Sequence, residues 1–582
     1  MLIARRVLLV VFALAVVVFA WLWWTLPARV DMAAYVPADS IVYFEANSLP
    51  EIVSAVTSTD DWRELAPAAG VESKQGGGGW LTRFVSFTGA GPSDSVVLSR
   101  AQVAVAVLGF DASEEPDATL KYTPRAALVA ETHTSEWRVK AAVEKLVGDF
   151  ARRSFGSASV ERKEVDGVPF YVWSAPSGGH RKIVAAVDES VAVVGNDEAV
   201  VKACLDVRRG ARPSLAGSEQ LKEMRARLRS DGALAFGFAP QGSAAKVVEV
   251  FAPAFVGGVS QEAHVQSVLA TVLPQLINQT LGSAGWSSRV AGGRMEDDYF
   301  LSLPGEMSER LREPLAAGAG EQSSGGAGAQ SSAADLLPPD AHQFSLYNFR
   351  SPEAAWRGLS ATLSSQVDVS RATIITLALE ALLKPYGIEQ PREFLRACGT
   401  EVATARLEES SEGKVLVARV RDRAALVEQV RAYLRRDARA EQVGDAELLV
   451  SKDPERGAAC FVGDYLLLGP EEDVRRCVAA HLEGRSLRNT DAFKAASQNF
   501  FDEPSFALTL TDDRDTARST ISYFARRDEA RPAQGNQAAL EEALARRGYS
   551  VGETRLADGG FEKKTRSSFG LFGEIVSRLA PR

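Results

Sequence analysis

The chain has 582 residues, a formal net charge of −9, 46% hydrophobic residues and 24% charged residues. This length is too great for a single hydrophobic core and predicts two or more domains, and the composition is that of a folded protein rather than a disordered one. The net negative charge argues against nucleic-acid binding, which requires a basic surface.

The N-terminus carries an apolar run, Val7–Leu26, that is broken only by Thr25 and follows two arginines. Such a run spans roughly 30 Å as a helix, enough to cross a bilayer. Three tryptophans near its far end suit the membrane interface. The alternative is a cleaved signal peptide, whose apolar region is shorter. We expect residues 1–6 to be a cytoplasmic tail and 7–26 a transmembrane anchor, with the chain after Pro27 outside the cytoplasm.

One stretch of sequence occurs twice, as Ile183–Phe238 and again as Phe461–Leu508. Each copy predicts a hairpin, a sharp turn, a helix, a glycine-containing break, a second helix and a returning strand. Weaker matches continue in the same order on both sides, so the chain is predicted to contain an internal duplication.

The duplication divides the chain into two α+β halves, residues 35–316 and 335–582, each with a largely antiparallel sheet and packed helices. A strand of alternating apolar residues is predicted near the start of each half, with Val42 and Phe44 on its apolar face in the first half and Phe344 and Leu346 in the second. Pro50-Glu51 and Pro352-Glu353 predict helix starts, because proline suits the first turn of a helix. Residues 317–334, rich in Gly, Ala, Ser and Gln, predict a flexible linker.

The chain resembles a known family in three short segments, Tyr35–Ser40, Gly195–Val200 and Ser214-Leu215, which follow the N-terminal anchor. It is similar in these to the bacterial membrane-anchored proteins catalogued as domain of unknown function 3352. The resemblance implies a location in the bacterial cell envelope. It implies no activity, cofactor or catalytic residue.

Ser243-Ala244-Ala245-Lys246 has the S-x-x-K spacing of penicillin-recognising serine enzymes, with Ser497-Gln498-Asn499 as an S-x-N element. One helical turn would place the lysine amine beside the serine hydroxyl, as activation of the nucleophile requires. Lys564-Thr565-Arg566 lacks the glycine of the third motif, K-T-G. Ser243 is also explained as a helix N-cap. We therefore predict no catalytic residue.

The histidines and cysteines show no metal-binding spacing, and neither a metal site nor another cofactor is predicted. Small buried hydrophobic residues are the favoured role of the cysteines, and a Cys460–Cys477 disulfide is the alternative. A glycine-rich loop, Gln75–Gly79, predicts a surface loop, a hinge or a ligand contact. The histidines are His133, His180, His264, His342 and His481, and the other two cysteines are Cys204 and Cys398.

The C-terminal segment has an apolar stripe at helical spacing, formed by Phe569, Phe572, Val576 and Leu579. This helix either packs on its own half or contacts a membrane or partner.

The sequence as a whole predicts a single-pass protein of the bacterial inner membrane, with its N-terminus inside and most of the chain extracytoplasmic. Its expected role is binding or scaffolding in the envelope, with the bilayer and an envelope protein or lipid as partners. Binding of a lipid or other apolar ligand between the halves is the first alternative. An S-x-x-K serine hydrolase is the second.

Overall fold

The computed structural model describes residues 29–46, 48–70, 97–114, 120–176, 181–250, 273–317, 331–366, 383–409, 413–435, 437–444, 446–501, 503–526 and 537–579, with a few residues between 372 and 380. The predicted α+β class is confirmed, because these residues form helices around a large antiparallel sheet. Residues 7–26 and the Gln75–Gly79 loop lie outside them. Within the described ranges, none of the helices is long and apolar enough to cross a membrane.

The described residues place twenty strands in one sheet. Those of the first half are β1 (Val42–Ala46), β2 (Gln102–Glu114), β3 (Leu120–Glu131), β4 (Ser159–Val165), β5 (Val168–Ser174), β6 (Lys182–Asp188), β7 (Val191–Gly195), β8 (Ala235–Ala239), β9 (Ala284–Ala291) and β10 (Arg294–Ser302). Those of the second half are β11 (Gln343–Asn348), β12 (Cys398–Arg406), β13 (Val415–Val420), β14 (Arg439–Val443), β15 (Ala446–Val450), β16 (Ala458–Val462), β17 (Tyr465–Gly469), β18 (Ala507–Asp512), β19 (Tyr549–Ala557) and β20 (Gly560–Ser567).

The α-helices whose two ends are both described flank this sheet. In the first half they are α1 (Leu49–Ser58), α2 (Asp60–Ala68), α3 (Glu136–Phe155), α4 (Glu198–Arg208), α5 (Glu219–Arg227) and α6 (Gly305–Arg312). In the second half they are α7 (Pro352–Ser364), α8 (Pro391–Ala397), α9 (Arg423–Leu434), α10 (Glu471–Leu482), α11 (Asp491–Ser497), α12 (Arg514–Arg526), α13 (Gln537–Ala545) and α14 (Gly570–Leu579).

The order of the strands across the sheet is the same when read inward from either edge. From the first edge it runs β4-β5-β6-β7-β3-β2-β1-β8-β9-β10. From the other edge it runs β14-β15-β16-β17-β13-β12-β11-β18-β19-β20. The last strand of each half pairs with the other, antiparallel, at the centre of the sheet. The halves therefore share one continuous sheet.

The two predicted helix starts are confirmed, and the caps explain them. Ser48 accepts a hydrogen bond from the backbone N–H of Glu51, and Ser351 accepts one from that of Ala354. A serine at this position satisfies an N–H group that the helix leaves unpaired. Proline stands in the first turn of both helices. The elements predicted for Ile183–Phe238 and Phe461–Leu508 are also present in the predicted order.

The sheet packs helices on both faces. We name the face that carries Tyr43 and Phe344 the front face, which α4 and α5 cover in the first half and α10 and α11 cover in the second. The opposite, back face is covered by α3 in the first half and by α8 and α9 in the second. The burial of apolar side chains on both faces of the sheet is the main favourable contribution to the stability of the fold.

The alternation in β1 is shifted by one residue from the expected pattern. Tyr43 and Glu45 point into the front core, whereas Phe44 is 40% exposed on the back face. Phe344 and Leu346 of β11 are buried as expected. The reason is a polar pair at a core position, because the Tyr43 hydroxyl donates a hydrogen bond to the Glu45 carboxylate at 2.6 Å. From the sequence alone a glutamate is expected at the surface. A glutamate that is buried with a hydrogen-bonding partner is therefore not recognised as a core residue.

The halves also exchange helices across the centre of the sheet. Helix α6 of the first half packs on α7 of the second, where Met307 and Leu311 meet Ala355. In the opposite direction, α12, α13 and α14 of the second half pack on α1 and α2 of the first. The rings of Trp62 and Phe569 meet edge to face there, with their centroids 6.4 Å apart. Each half therefore completes part of the other's core.

The predicted linker, residues 317–334, is described only at its ends. Ala317 forms a bridge to Phe349, and Ser332–Leu336 form a 3-10 helix in which Ala333 and Ala334 are buried. Glu401 ties this helix to the sheet by accepting a hydrogen bond from the Ala333 N–H at 3.0 Å. The packed part of the second half thus starts several residues before the predicted boundary at 335. The remainder of the linker lies outside the described residues.

Candidate functional site

The two halves meet where β10 pairs with β20, in a register that runs from Met295 opposite Ser567 to Ser302 opposite Gly560. At the middle of this register Asp298 lies opposite Lys564. Alternate residues of a strand point to opposite faces of the sheet, so the even-numbered residues of β10 share the front face with their partners in β20.

This front-face strip carries mostly charged side chains, whereas the front cores on either side of it are mainly apolar. We name it the central charge ladder. It consists of Arg289, Glu296, Asp298, Glu503, Arg555, Glu562, Lys564 and Arg566.

The ladder has a matching ion pair in each half. In the first half, the Arg289 guanidinium donates two hydrogen bonds to Glu296, at 3.0 and 2.8 Å, and also contacts Asp298. In the second half, Arg555 donates two to Glu562, at 3.0 and 2.7 Å. In each pair both N–H groups donate to a single carboxylate oxygen, Oε1 of Glu296 and Oε2 of Glu562. Hydrogen bonds between charged groups of this kind are stronger than those between neutral groups.

Arg566 connects the halves. Its Nε donates to Glu296 across the seam at 3.1 Å, and its Nη1 donates to the Asn499 carbonyl at 3.1 Å. Its guanidinium also stacks on the ring of Phe501 at 4.1 Å. Lys564 lies beside it and bonds Glu503 at 3.1 Å. The second half therefore supplies cations to carboxylates of both halves.

Burial and neighbouring charge act against each other in the ladder. Burial raises the pKa of Asp298 above its ordinary value, and the nearby Arg289 only partly offsets it. Burial also acts to raise the pKa of Glu296, but hydrogen bonds from Arg289 and Arg566 outweigh it, and the net shift is downward. The side chains of Arg289, Arg555 and Arg566 remain 28–29% exposed. The ladder can therefore bind polar groups from solvent.

A second charged cluster lies at the joint between α2 and the second half. Asp61 is fully buried, and Arg547 of the second half donates a hydrogen bond to it while also pairing with Glu64. Arg294 approaches Asp61 to 3.9 Å, and Asp513 lies within electrostatic range of both. Buried charges require partners, and here the partners come from both halves.

Asp513 of this cluster has a raised pKa. Burial, and to a smaller extent the charge of Asp61, raise its pKa to about 6, although hydrogen bonds from Ser568 and the charge of Arg294 act in the opposite direction. The Ser568 backbone N–H donates to its Oδ2 at 2.6 Å. We name Asp61, Arg294, Asp513 and Arg547 the buried joint. Sequence reasoning missed it, because Asp61 and Asp513 read as ordinary carboxylates at helix starts.

The serine and the lysine of the S-x-x-K segment differ in their exposure to solvent. Ser243 starts a helix and is buried, whereas the Lys246 side chain is exposed to solvent. The Ser497 hydroxyl bonds the Lys494 carbonyl at 2.7 Å, and the Asn499 amide bonds the Ala495 carbonyl at 2.9 Å. Lys564 belongs to the central charge ladder, where it bonds Glu503.

The histidines that the sequence analysis considered as metal ligands are dispersed in the fold. His133 contacts Gln102 through Nε2 at 3.1 Å, and His342 and His481 lie in the second half. His180 and His264 lie outside the described residues. Across the described residues, no three His, Cys, Asp or Glu side chains are grouped so as to hold a metal ion.

All four cysteines are buried thiols, as expected for small core residues. Burial raises the pKa of Cys204 and of Cys398 to about 12, and it raises that of Cys477 as well. A thiol held protonated in this way is a poor nucleophile and a poor metal ligand.

Three of the four residues in the C-terminal apolar stripe pack against the fold, and the side chain of the fourth, Leu579, lies outside the described residues. Phe569 is fully buried, Phe572 packs in the same cluster, and Val576 is 7% exposed. Both halves contribute to the pocket, since Phe569 meets Trp62 of α2 and lies in the cluster of Ala517 and Ile521 of α12. The packing alternative therefore holds for these residues, although the contact extends beyond their own half.

No family model matches this chain, and no curated protein or solved structure shows detectable similarity to it.

Proposed function

We propose that the protein is a membrane-anchored, extracytoplasmic binding or scaffold protein of the bacterial cell envelope, with no catalytic role. The observation that carries the proposal is the central charge ladder, a partly exposed strip of paired charges at the seam of one continuous sheet. Such a surface offers many fixed hydrogen-bonding groups, which suits recognition of a polar partner. The resemblance of Tyr35–Ser40 and Gly195–Val200 to the family named above supports the envelope location.

The anchor of this proposal is the apolar run Val7–Leu26, with the N-terminus inside and the described residues outside. Its length matches a bilayer core, and the arginines before it favour this orientation. Arg29, only three residues beyond the run, already pairs with Glu51 of α1 at 2.7 Å. The folded part would therefore be held close to the membrane.

We further infer that the two halves arose by tandem duplication. The shared strand order supports this, as does the correspondence of Arg289 and Glu296 with Arg555 and Glu562 on either side of the seam. The pair at the centre breaks the correspondence, because Asp298 of the first half faces Lys564 of the second. Opposite charges at this point favour pairing of a first half with a second half over pairing of two first halves or two second halves.

Site-specific photo-crosslinking in envelope membranes tests the ladder as the binding surface. A photoreactive residue at Arg555, which is 28% exposed, is expected to give a discrete adduct. The same residue at Arg485, which is 73% exposed and outside the ladder, serves as the matched control and is expected to give none. Identical adducts from both positions contradict a specific surface, and turnover of an envelope substrate that a point mutation abolishes contradicts the non-catalytic role.

Capture of a lipid or other apolar ligand is the second candidate. One observation favours it, the exposed apolar row on the back face of the first half, where Phe44 and Leu128 are each 40% exposed on either side of Val105. The Phe44 ring also meets Trp286 at 6.1 Å. Exposed apolar side chains in a row are suited to an acyl chain. Native mass spectrometry of the full chain released from nanodiscs tests this, and a bare protein mass speaks against it.

A further inference from the structure

The residues that directly follow the proposed anchor are fixed to the folded part. Val30 makes two hydrogen bonds with the Gln102 side chain, accepting one at 3.1 Å and donating one at 2.9 Å. Asp31 accepts one from Arg225 at 2.9 Å, and Met32 and Ala33 are fully buried. The described chain therefore begins as an integral part of the front core.

This attachment limits how far the fold can lie from the bilayer. Val30 is four positions after Leu26, and an extended chain spans at most about 14 Å over four residue steps. Gln102 is the first residue of β2 and pairs with Glu131, the last residue of β3. The edge of the fold that contains these strand ends must therefore be the one that faces the membrane.

An exposed tryptophan lies on the same edge. His133, just after β3, contacts Gln102 at 3.1 Å, and α3 begins three residues later. Trp137 in the first turn of α3 is 66% exposed, and the Arg138 guanidinium lies 5.1 Å from the centre of its ring. A large aromatic ring is solvated poorly by water. The headgroup region of a bilayer, in contrast, favours both tryptophan and arginine side chains.

We propose that Trp137 and Arg138 insert into the headgroup region of the bilayer and form a second membrane contact beside the anchor. The inference rests on the proposed function, because it requires Val7–Leu26 to span the membrane. It adds a fixed orientation: α3 starts at the bilayer surface and runs away from it. The front-face ladder and the back face would then both stand roughly upright on the membrane, open to partners along it.

Spin labelling of the full chain in vesicles of phosphatidylethanolamine and phosphatidylglycerol tests the contact. The label replaces Glu136, which is 48% exposed, so that Trp137 stays in place. The matched control replaces Phe150, which is 55% exposed on the same helix and lies roughly 20 Å further along it. The native cysteines are buried, so labelling is confined to the introduced ones.

We expect the ratio of oxygen accessibility to nickel-chelate accessibility to be about threefold higher at position 136 than at position 150, because oxygen concentrates in lipid and the chelate stays in water. Replacing Trp137 by Ala in the 136-labelled chain should lower this ratio toward the control. Equal ratios at both positions in protein that floats with the vesicles overturn the contact and leave the anchor intact. Protein that fails to float overturns both the anchor and the contact.

Discussion

Replacing Asp513 by Asn removes an ionisable group from the buried joint while keeping an oxygen that can accept the Ser568 hydrogen bond. The folded pKa of Asp513, about 6, lies above the ordinary value of about 3.9 for an aspartate. The protonated carboxyl is thus favoured in the fold, so its stabilising effect is complete below about pH 4 and is lost as the pH rises through 6. Two units correspond to about 3 kcal/mol.

Asp513→Asn is therefore expected to raise the free energy of unfolding by about 2–3 kcal/mol at about pH 7.5 and by less than about 1 kcal/mol at about pH 4. Urea unfolding of the detergent-solubilised full chain, followed by tryptophan fluorescence at both pH values, measures the difference. Asp515→Asn is the control, because Asp515 is 48% exposed and pairs with Arg518. A loss of stability at pH 7.5, or the same change at both pH values, refutes the argument that burial dominates at Asp513.

Three further predictions concern the joining of the halves and the S-x-x-K alternative. Arg566→Met, which removes the ion pair across the seam, should cost about 1–2 kcal/mol in urea unfolding because the site is partly exposed, whereas Arg485→Met should cost less than about 0.5 kcal/mol. Phe569→Ala should cost about 3–5 kcal/mol and destabilise both halves together, and two separate unfolding transitions, one unchanged, would contradict the shared core. A fluorophosphonate probe should leave Ser243 unmodified in the wild-type chain, and labelling that Ser243→Ala abolishes would revive the hydrolase alternative.

The sequence predicts the local elements well because local chemistry determines them. The serine caps before α1 and α7 and the glycine-containing hairpins act within a few residues, and both are visible in the sequence. The apolar stripe of the C-terminal helix also predicts a buried face, and Phe569 is fully buried. The stripe does not indicate which surface of the protein the helix packs against.

The joining of the halves could not be predicted in the same way. Pairing of β10 with β20 depends on which of many strand edges meet, and the residues involved are more than 250 positions apart in the chain. Glu296 and Arg566 accordingly read as solvent-facing charges of alternating strands. Asp61 is similar, because a carboxylate in the first turn of a helix is normally exposed and only the tertiary fold reveals its burial.

We propose that one folded body stands outside the cytoplasm on a single N-terminal anchor. Cysteine accessibility in intact bacterial spheroplasts tests it most directly, since the native cysteines are buried. A membrane-impermeant maleimide is expected to label a cysteine at Phe150, which is 55% exposed, without lysis, and to label one at Ala4 only after lysis. Labelling of position 150 only after lysis would contradict this topology.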